Sequence, residues 1–225
     1  MTEAEWLACE NIQALLADCK GCSLRKYRLF ACGCCRVVWE HLGQEARAAV
    51  EITEQFAEGR ASKEEVRLAG VAALAETARD LDEWYRPIPA AVTARTAAGW
   101  HPAVAVAAPK ATASYRFAWV AKYAEDLAER AAGLGKQVHL QEIALVRCVF
   151  GNPLTTPRFE LGWRTRTVRL LAAGIYADRA FDRMPVLADA LEEAGCDHAD
   201  ILAHCRGDGP HVRGCWVVDL VLGES

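Results

Sequence analysis

The chain has 225 residues, 52% of them hydrophobic and 25% charged, with a formal net charge of −4. That hydrophobic share excludes a wholly disordered chain, and no run approaches the roughly 18 uninterrupted apolar residues of a membrane span. The net charge does not argue for nucleic acid as a partner, and nucleic acid is not the expected partner.

Helical periodicity dominates from the start. Thr2 and Glu5 have the spacing of a capping box, and Trp6, Ile12, Leu15 and Leu16 follow, which predicts a first helix over 2–17. Asp18 to Cys22 is a turn. Leu24, Tyr27, Ala31, Cys34, Cys35, Val38 and Leu42 recur at helical spacing, predicting a second helix over 24–42. A third follows over 44–58. Ser62 with Glu65 is another capping box and opens a fourth, over 62–85.

Pro87, Pro89, Gly99, Pro102 and Pro109 then interrupt the pattern. Proline removes a backbone donor and restricts its predecessor, so 86–110 is expected to be a long Pro/Ala-rich crossing loop. Helix is predicted again over 111–132, 136–150 and 165–177, from Pro185 to Ala194, and over 198–206. Residues 212–222, with Trp216-Val217-Val218-Asp219-Leu220-Val221-Leu222, suit a buried helix or a strand, and helix is preferred. The expected fold is all-α or nearly so: an irregular bundle of about eight helices. It is one domain over 1–225, with a subdivision into 1–85 and 111–225 around the crossing loop.

Several blocks occur together in a distinctive set. They are Met1-Thr2-Glu3-Ala4-Glu5-Trp6-Leu7-Ala8-Cys9, then Arg28-Leu29-Phe30-Ala31-Cys32-Gly33-Cys34-Cys35-Arg36, then Phe150-Gly151-Asn152-Pro153. The tail adds Ala180 to Arg183, Ile201 to Gly207 and His211 to Leu220. This set resembles a large paralogous family of bacteria with big, GC-rich genomes. The matches span both ends and leave about 60–145 uncovered. The resemblance implies kinship and helical content, and it carries no activity with it. Cys19 and Cys22 are not part of the pattern.

The ten cysteines are the chemistry to place. The N-terminal start is acidic and amphipathic rather than a basic lead into an apolar run, so a cytosolic setting is expected, where thiols stay reduced. Cys19-x2-Cys22-x9-Cys32-x2-Cys35 offers the four thiolates of a closed tetrahedral zinc site. Its second pair falls inside a predicted helix whose face the core also needs. The plainer reading is a Cys-rich face packed inward, because free cysteine is among the most buried residue types.

The tail holds Cys196, His198, His204, Cys205, His211 and Cys215. Four of them would suit a borderline metal such as zinc, with Cys196, His198, His204 and Cys205 the second-choice set. The spacing fits no standard zinc module. The same block permits a nucleophile: Cys205 or Cys215, with His204 or His211 as base and Asp219 or Asp200 orienting it. Neighbouring His204 and Cys205 would point in different directions on a helix.

Trp84 and Trp100 flank the crossing loop, and Arg164 and Arg166 flank Trp163, so these four are candidate binding residues. A second basic group, Arg25, Lys26, Arg28 and Arg36, lies on the second predicted helix, where ion pairing along a solvated face is the simple account. No GxxxxGK[ST], GxSxG or HExxH stretch is present. The leading expectation is a non-enzymatic, cytosolic, helical interaction module with a protein partner and no cofactor. Zinc held by a Cys/His cluster and a cysteine hydrolase built on the tail are the alternatives.

Overall fold

The computed structural model describes residues 1–84, 121, 124–125, 128–129, 133–155 and 157–224. Among the described residues there are ten α-helices and no strand, the all-α fold that the periodicity predicts. They are α1 (Glu3–Ala8), α2 (Ile12–Asp18), α3 (Leu24–Val37), α4 (Gln44–Ala57) and α5 (Lys63–Trp84). After the crossing segment come α6 (Gly135–Phe150), α7 (Arg166–Asp178), α8 (Met184–Glu193), α9 (Ala199–Arg206) and α10 (Trp216–Leu222). The expected loop over 86–110 lies outside the described residues. So does the helix over 111–132, apart from helical positions 121, 124–125 and 128–129.

Local chemistry explains where the elements stop. The first predicted helix is two. Cys9 leaves α1 with an extended backbone, and the Ala14 amide donates to the Asn11 side chain at 3.0 Å, so Asn11 caps a new helix instead of continuing the old one. Both predicted capping boxes form: Thr2 with Glu5, and Ser62 with Glu65. Helix α3 ends at Val37, five residues early, and a 3₁₀ turn over Trp39–His41 takes the remainder. The ambiguous tail is helix, closed by Gly223 in the left-handed region.

The apolar core forms two clusters. The first gathers α1 to α5 around Leu15, Phe30, Cys34, Val50 and Val66, and α6 joins it through Val138, Ile143, Leu145 and Val146. The second is built on α7 to α10, with Ile175, Leu187, Leu191, Ile201 and Val218, and takes Cys148 from the end of α6. Val212 packs against both. Gly33 permits this closeness, since a side chain there would meet Leu145 at 3.3 Å and Val212 at 3.4 Å.

A polar seam also crosses between the clusters. Glu54 on α4, almost fully buried, accepts from Arg36, Arg179 and Arg213. Asp219 on α10, equally buried, accepts from Arg25 at 2.8 Å and pairs with Lys26 at 2.6 Å. Glu58 pairs with Arg25 at 3.1 Å and accepts from the Tyr176 hydroxyl. Thus three of the basic side chains of α3, Arg25, Lys26 and Arg36, turn inward to hold the two clusters together. They do not form a solvated face. Arg28 instead lies over the Phe56 ring, at 4.9 Å.

Backbone conformation is demanding just before α10. Gly214 has φ +87, and a Cβ there would lie 3.0 Å from the Leu29 side chain. Gly214→Ala is expected to cost about 1–3 kcal/mol, because it adds both left-handed strain and a contact that Leu29 must relieve. Urea unfolding of the purified variant measures it, and an unchanged midpoint would contradict the packing described here.

Candidate metal centre

Helix α6 carries Cys148 two residues before its end, buried against the second cluster. Helix α9 presents His204 in its last turn. The chain then turns through Gly207 to Gly214, carrying His211, and Cys215 is the capping residue just before α10. Gly151 ends α6 with φ +66, which lets the backbone pass against the Trp216 indole: a Cβ there would lie 3.2 Å from the ring. Trp216 in turn lies against His204 with the rings tilted, 5.3 Å between centroids, and His204 meets His211 edge-on at 4.9 Å.

These elements bring one donor atom from each of Cys148, His204, His211 and Cys215 within 4.8 Å of one another. His204 Nε2 lies 3.2 Å from Cys215 Sγ, and His211 Nδ1 lies 3.7 Å from Cys148 Sγ. A tetrahedral ion with bonds of about 2.3 Å to sulfur and about 2.0–2.1 Å to nitrogen spaces such donors about 3.6 Å apart. The two observed separations bracket that value. The two sulfurs are sealed: Cys148 is 2% exposed and Cys215 is fully buried. His211 Nε2, the ring nitrogen not facing Cys148, is buried with no hydrogen-bond partner. A Cys/His group that can hold a metal ion is therefore present.

The electrostatics divide the sulfurs. Burial would raise the Cys215 thiol, but hydrogen bonds from Cys148, His204 and His211 outweigh it and hold Cys215 below the ordinary thiol range. Cys148 goes the other way: its hydrogen bond to Cys215, and then burial, push it well up. Cys215 is thus the readier thiolate, and a cation would have to displace the proton that remains on Cys148.

A second group, Glu125, His139 and Glu142, also has its ligand atoms within 4.8 Å. There His139 Nδ1 is 2.7 Å from Glu125 and Nε2 is 3.0 Å from the Glu10 carbonyl oxygen. The 2.7 Å contact is a direct hydrogen bond, shorter than the about 3.3 Å that a tetrahedral ion would set between a nitrogen and an oxygen donor.

The other candidates fall elsewhere. Cys19, Cys22, Cys32 and Cys35 form no such group among the described residues. Cys19 Sγ donates to the Leu15 carbonyl at 3.3 Å, and Cys32 Sγ to the Val50 carbonyl at 3.8 Å, so each thiol is spent on a neighbouring backbone. Burial pushes Cys19, Cys32 and Cys35 upward and keeps them neutral thiols of the first core. Of Cys196, His198, His204 and Cys205, only His204 joins the cluster. His198 serves as the residue preceding α9, while Cys196 and Cys205 pack in the second core. Adjacent His204 and Cys205 leave α9 in different directions, as a helix requires.

As a nucleophile, Cys205 is fully buried and pushed upward by that burial. Asp219 is engaged by Arg25 and Lys26 and orients neither histidine. A cavity of about 340 Å³ opens beside the cluster, lined by Phe181, Asp182, Met184, Pro185, Asp208 and His211 among others. Of the four donors only His211 reaches its wall, so neither sulfur meets it. Arg164 donates to the Leu220 carbonyl at 2.6 Å and closes the end of α10, whereas Arg166 is exposed at the start of α7. The Trp84 side chain and Trp100 lie outside the described residues.

Cys148 is the donor that sequence reasoning missed. His204-x6-His211-x3-Cys215 is a compact trio in the tail, but its fourth member lies 56 residues upstream of His204, counting from Cys148, and no spacing rule links them. Comparison with protein-family models, curated proteins and solved structures finds no match for this chain. Among the described residues no helix is long and apolar enough to cross a membrane.

Proposed function

We propose that this protein is a non-enzymatic helical interaction module whose C-terminal half is held in shape by one zinc ion, bound by Cys148, His204, His211 and Cys215. One observation carries the reading: four soft and borderline donors from α6, α9, the loop after it and the start of α10 converge within 4.8 Å, the two sulfurs buried and the two imidazoles half-buried. Two thiolates with two imidazoles form the donor set of structural zinc. Four protein donors fill a tetrahedron and leave no position for a substrate, which supports a structural rather than a catalytic ion. A reducing compartment such as the cytosol suits the site, because both sulfurs must remain thiols. The partner is taken to be protein, since the net charge is negative and Arg25, Lys26 and Arg36 are spent on the internal seam.

Elemental analysis of the protein purified without added chelator tests the reading. One zinc per chain is expected, as is a tetrahedral visible spectrum after cobalt substitution. A metal-free chain that takes up neither ion and is equally stable with and without chelator would overturn it.

A further inference from the structure

The metal centre belongs to the second cluster, yet its two sulfur-bearing segments are joined by a side chain from the first. Lys26 on α3 donates from Nζ to the Val149 carbonyl at 2.9 Å and to the Gly214 carbonyl at 2.8 Å. Val149 directly follows Cys148, and Gly214 directly precedes Cys215. The same ammonium pairs with Asp219 at 2.6 Å. Two of its protons are thus placed on the two carbonyls, its charge faces Asp219, and the side chain is only 12% exposed. The Cys148 sulfur itself bonds to Cys215 and to the Val212 backbone, and Lys26 adds the bridge between the two flanking main chains. The bond to Val149 also satisfies a carbonyl in the last turn of α6, where a cation is favoured.

We propose that Lys26 is the positioning residue of the metal centre: by bridging the Val149 and Gly214 carbonyls it sets the Cys148–Cys215 separation and couples zinc affinity to the docking of α3. The inference rests on the zinc reading above. The reason is geometric. The four donors come from α6, α9, a loop and the start of α10, and the ion can use them only if α6 and α10 hold their mutual distance. Outer contacts of this kind typically change metal affinity 10–100-fold when removed. Lys26→Met is a suitable probe because Asp219 keeps Arg25 as a partner and is not left as an unpaired buried charge.

A general loss of stability has to be separated from a metal-specific effect. Arg36 provides the control. It sits on the same helix and the same seam, pairing with Glu54 at 2.6 Å, but it touches no backbone beside a donor. Zinc dissociation constants measured by competition with a chromophoric chelator, together with thermal midpoints of the metal-free proteins, distinguish the two roles. Lys26→Met is expected to weaken zinc 10-fold or more and to shift the cobalt spectrum, whereas Arg36→Met lowers the midpoint and leaves both within twofold. Lys26→Arg, which keeps the charge and the donors, is expected to recover part of the affinity. Equal effects of the Lys26 and Arg36 substitutions on zinc, or none from either, would overturn the proposal while leaving the zinc reading intact. A wild-type chain that binds no zinc would overturn both.

Discussion

Cys215→Ser is expected to abolish stoichiometric zinc binding and to bring the protein to the stability that a chelator imposes on the native chain. Serine keeps the shape but supplies no thiolate, and three remaining donors hold zinc far less tightly than four. Zinc at a free concentration a hundredfold above its dissociation constant adds about 2.7 kcal/mol to the folded state, and at a thousandfold about 4.1 kcal/mol, provided the unfolded chain binds none. The chelator-dependent difference in unfolding free energy should therefore be several kcal/mol for the native chain and near zero for Cys215→Ser. Cys205→Ala is the matched control. It removes a fully buried thiol from the same core, and it should lose stability yet retain one zinc per chain. If both variants keep their zinc, the donor set assigned here is incorrect.

Glu54→Ala should produce the largest stability loss outside the metal centre. Its carboxylate is 3% exposed, and Arg36, Arg179 and Arg213 all donate to it. Removing it leaves three guanidinium groups facing one another at the seam. Breaking a buried ion pair by deleting one partner typically costs about 3–5 kcal/mol. Arg213 already feels this repulsion: burial first, and then the charge of Arg179, lower its affinity for its proton. A chemical denaturation midpoint corresponding to less than about 1 kcal/mol of loss would mean that the seam behaves like surface ion pairs. The loss should also appear in both clusters at once, because Arg179 and Arg213 belong to the second and Glu54 to the first. Fluorescence of the tryptophans and far-ultraviolet circular dichroism should then report one shared transition.

Most of the fold could be read along the chain. Helices α4 and α5, the end of α6, and α7 to α9 lie within a residue or two of where apolar periodicity and caps put them. These are properties of neighbours three and four residues apart, and a linear sequence displays them directly. The first helix shows the limit. Asn11 was interior to a periodic stripe, and its competing bond to the Ala14 amide, a local choice that periodicity does not register, divided it.

The candidate metal centre was legible only in part. The tail advertised His204, His211 and Cys215 as metal donors among several equivalents. Its companions Cys196, His198 and Cys205 looked no different on paper, and the Cys19–Cys35 set looked better. What separates them is direction: a helix sends Cys205 into the core and His204 toward the turn. Cys148 could not be found by spacing, since it is brought back by the packing of α6 against α10. The basic side chains of α3 were similarly misleading, because charge type does not reveal whether a partner waits across a buried seam. Amphipathic periodicity thus determined, from the sequence by itself, that the chain is a helical bundle with thiol-rich faces. Which sulfurs and imidazoles meet was decided only when distant helices packed, because convergence of donors is a property of three-dimensional distance.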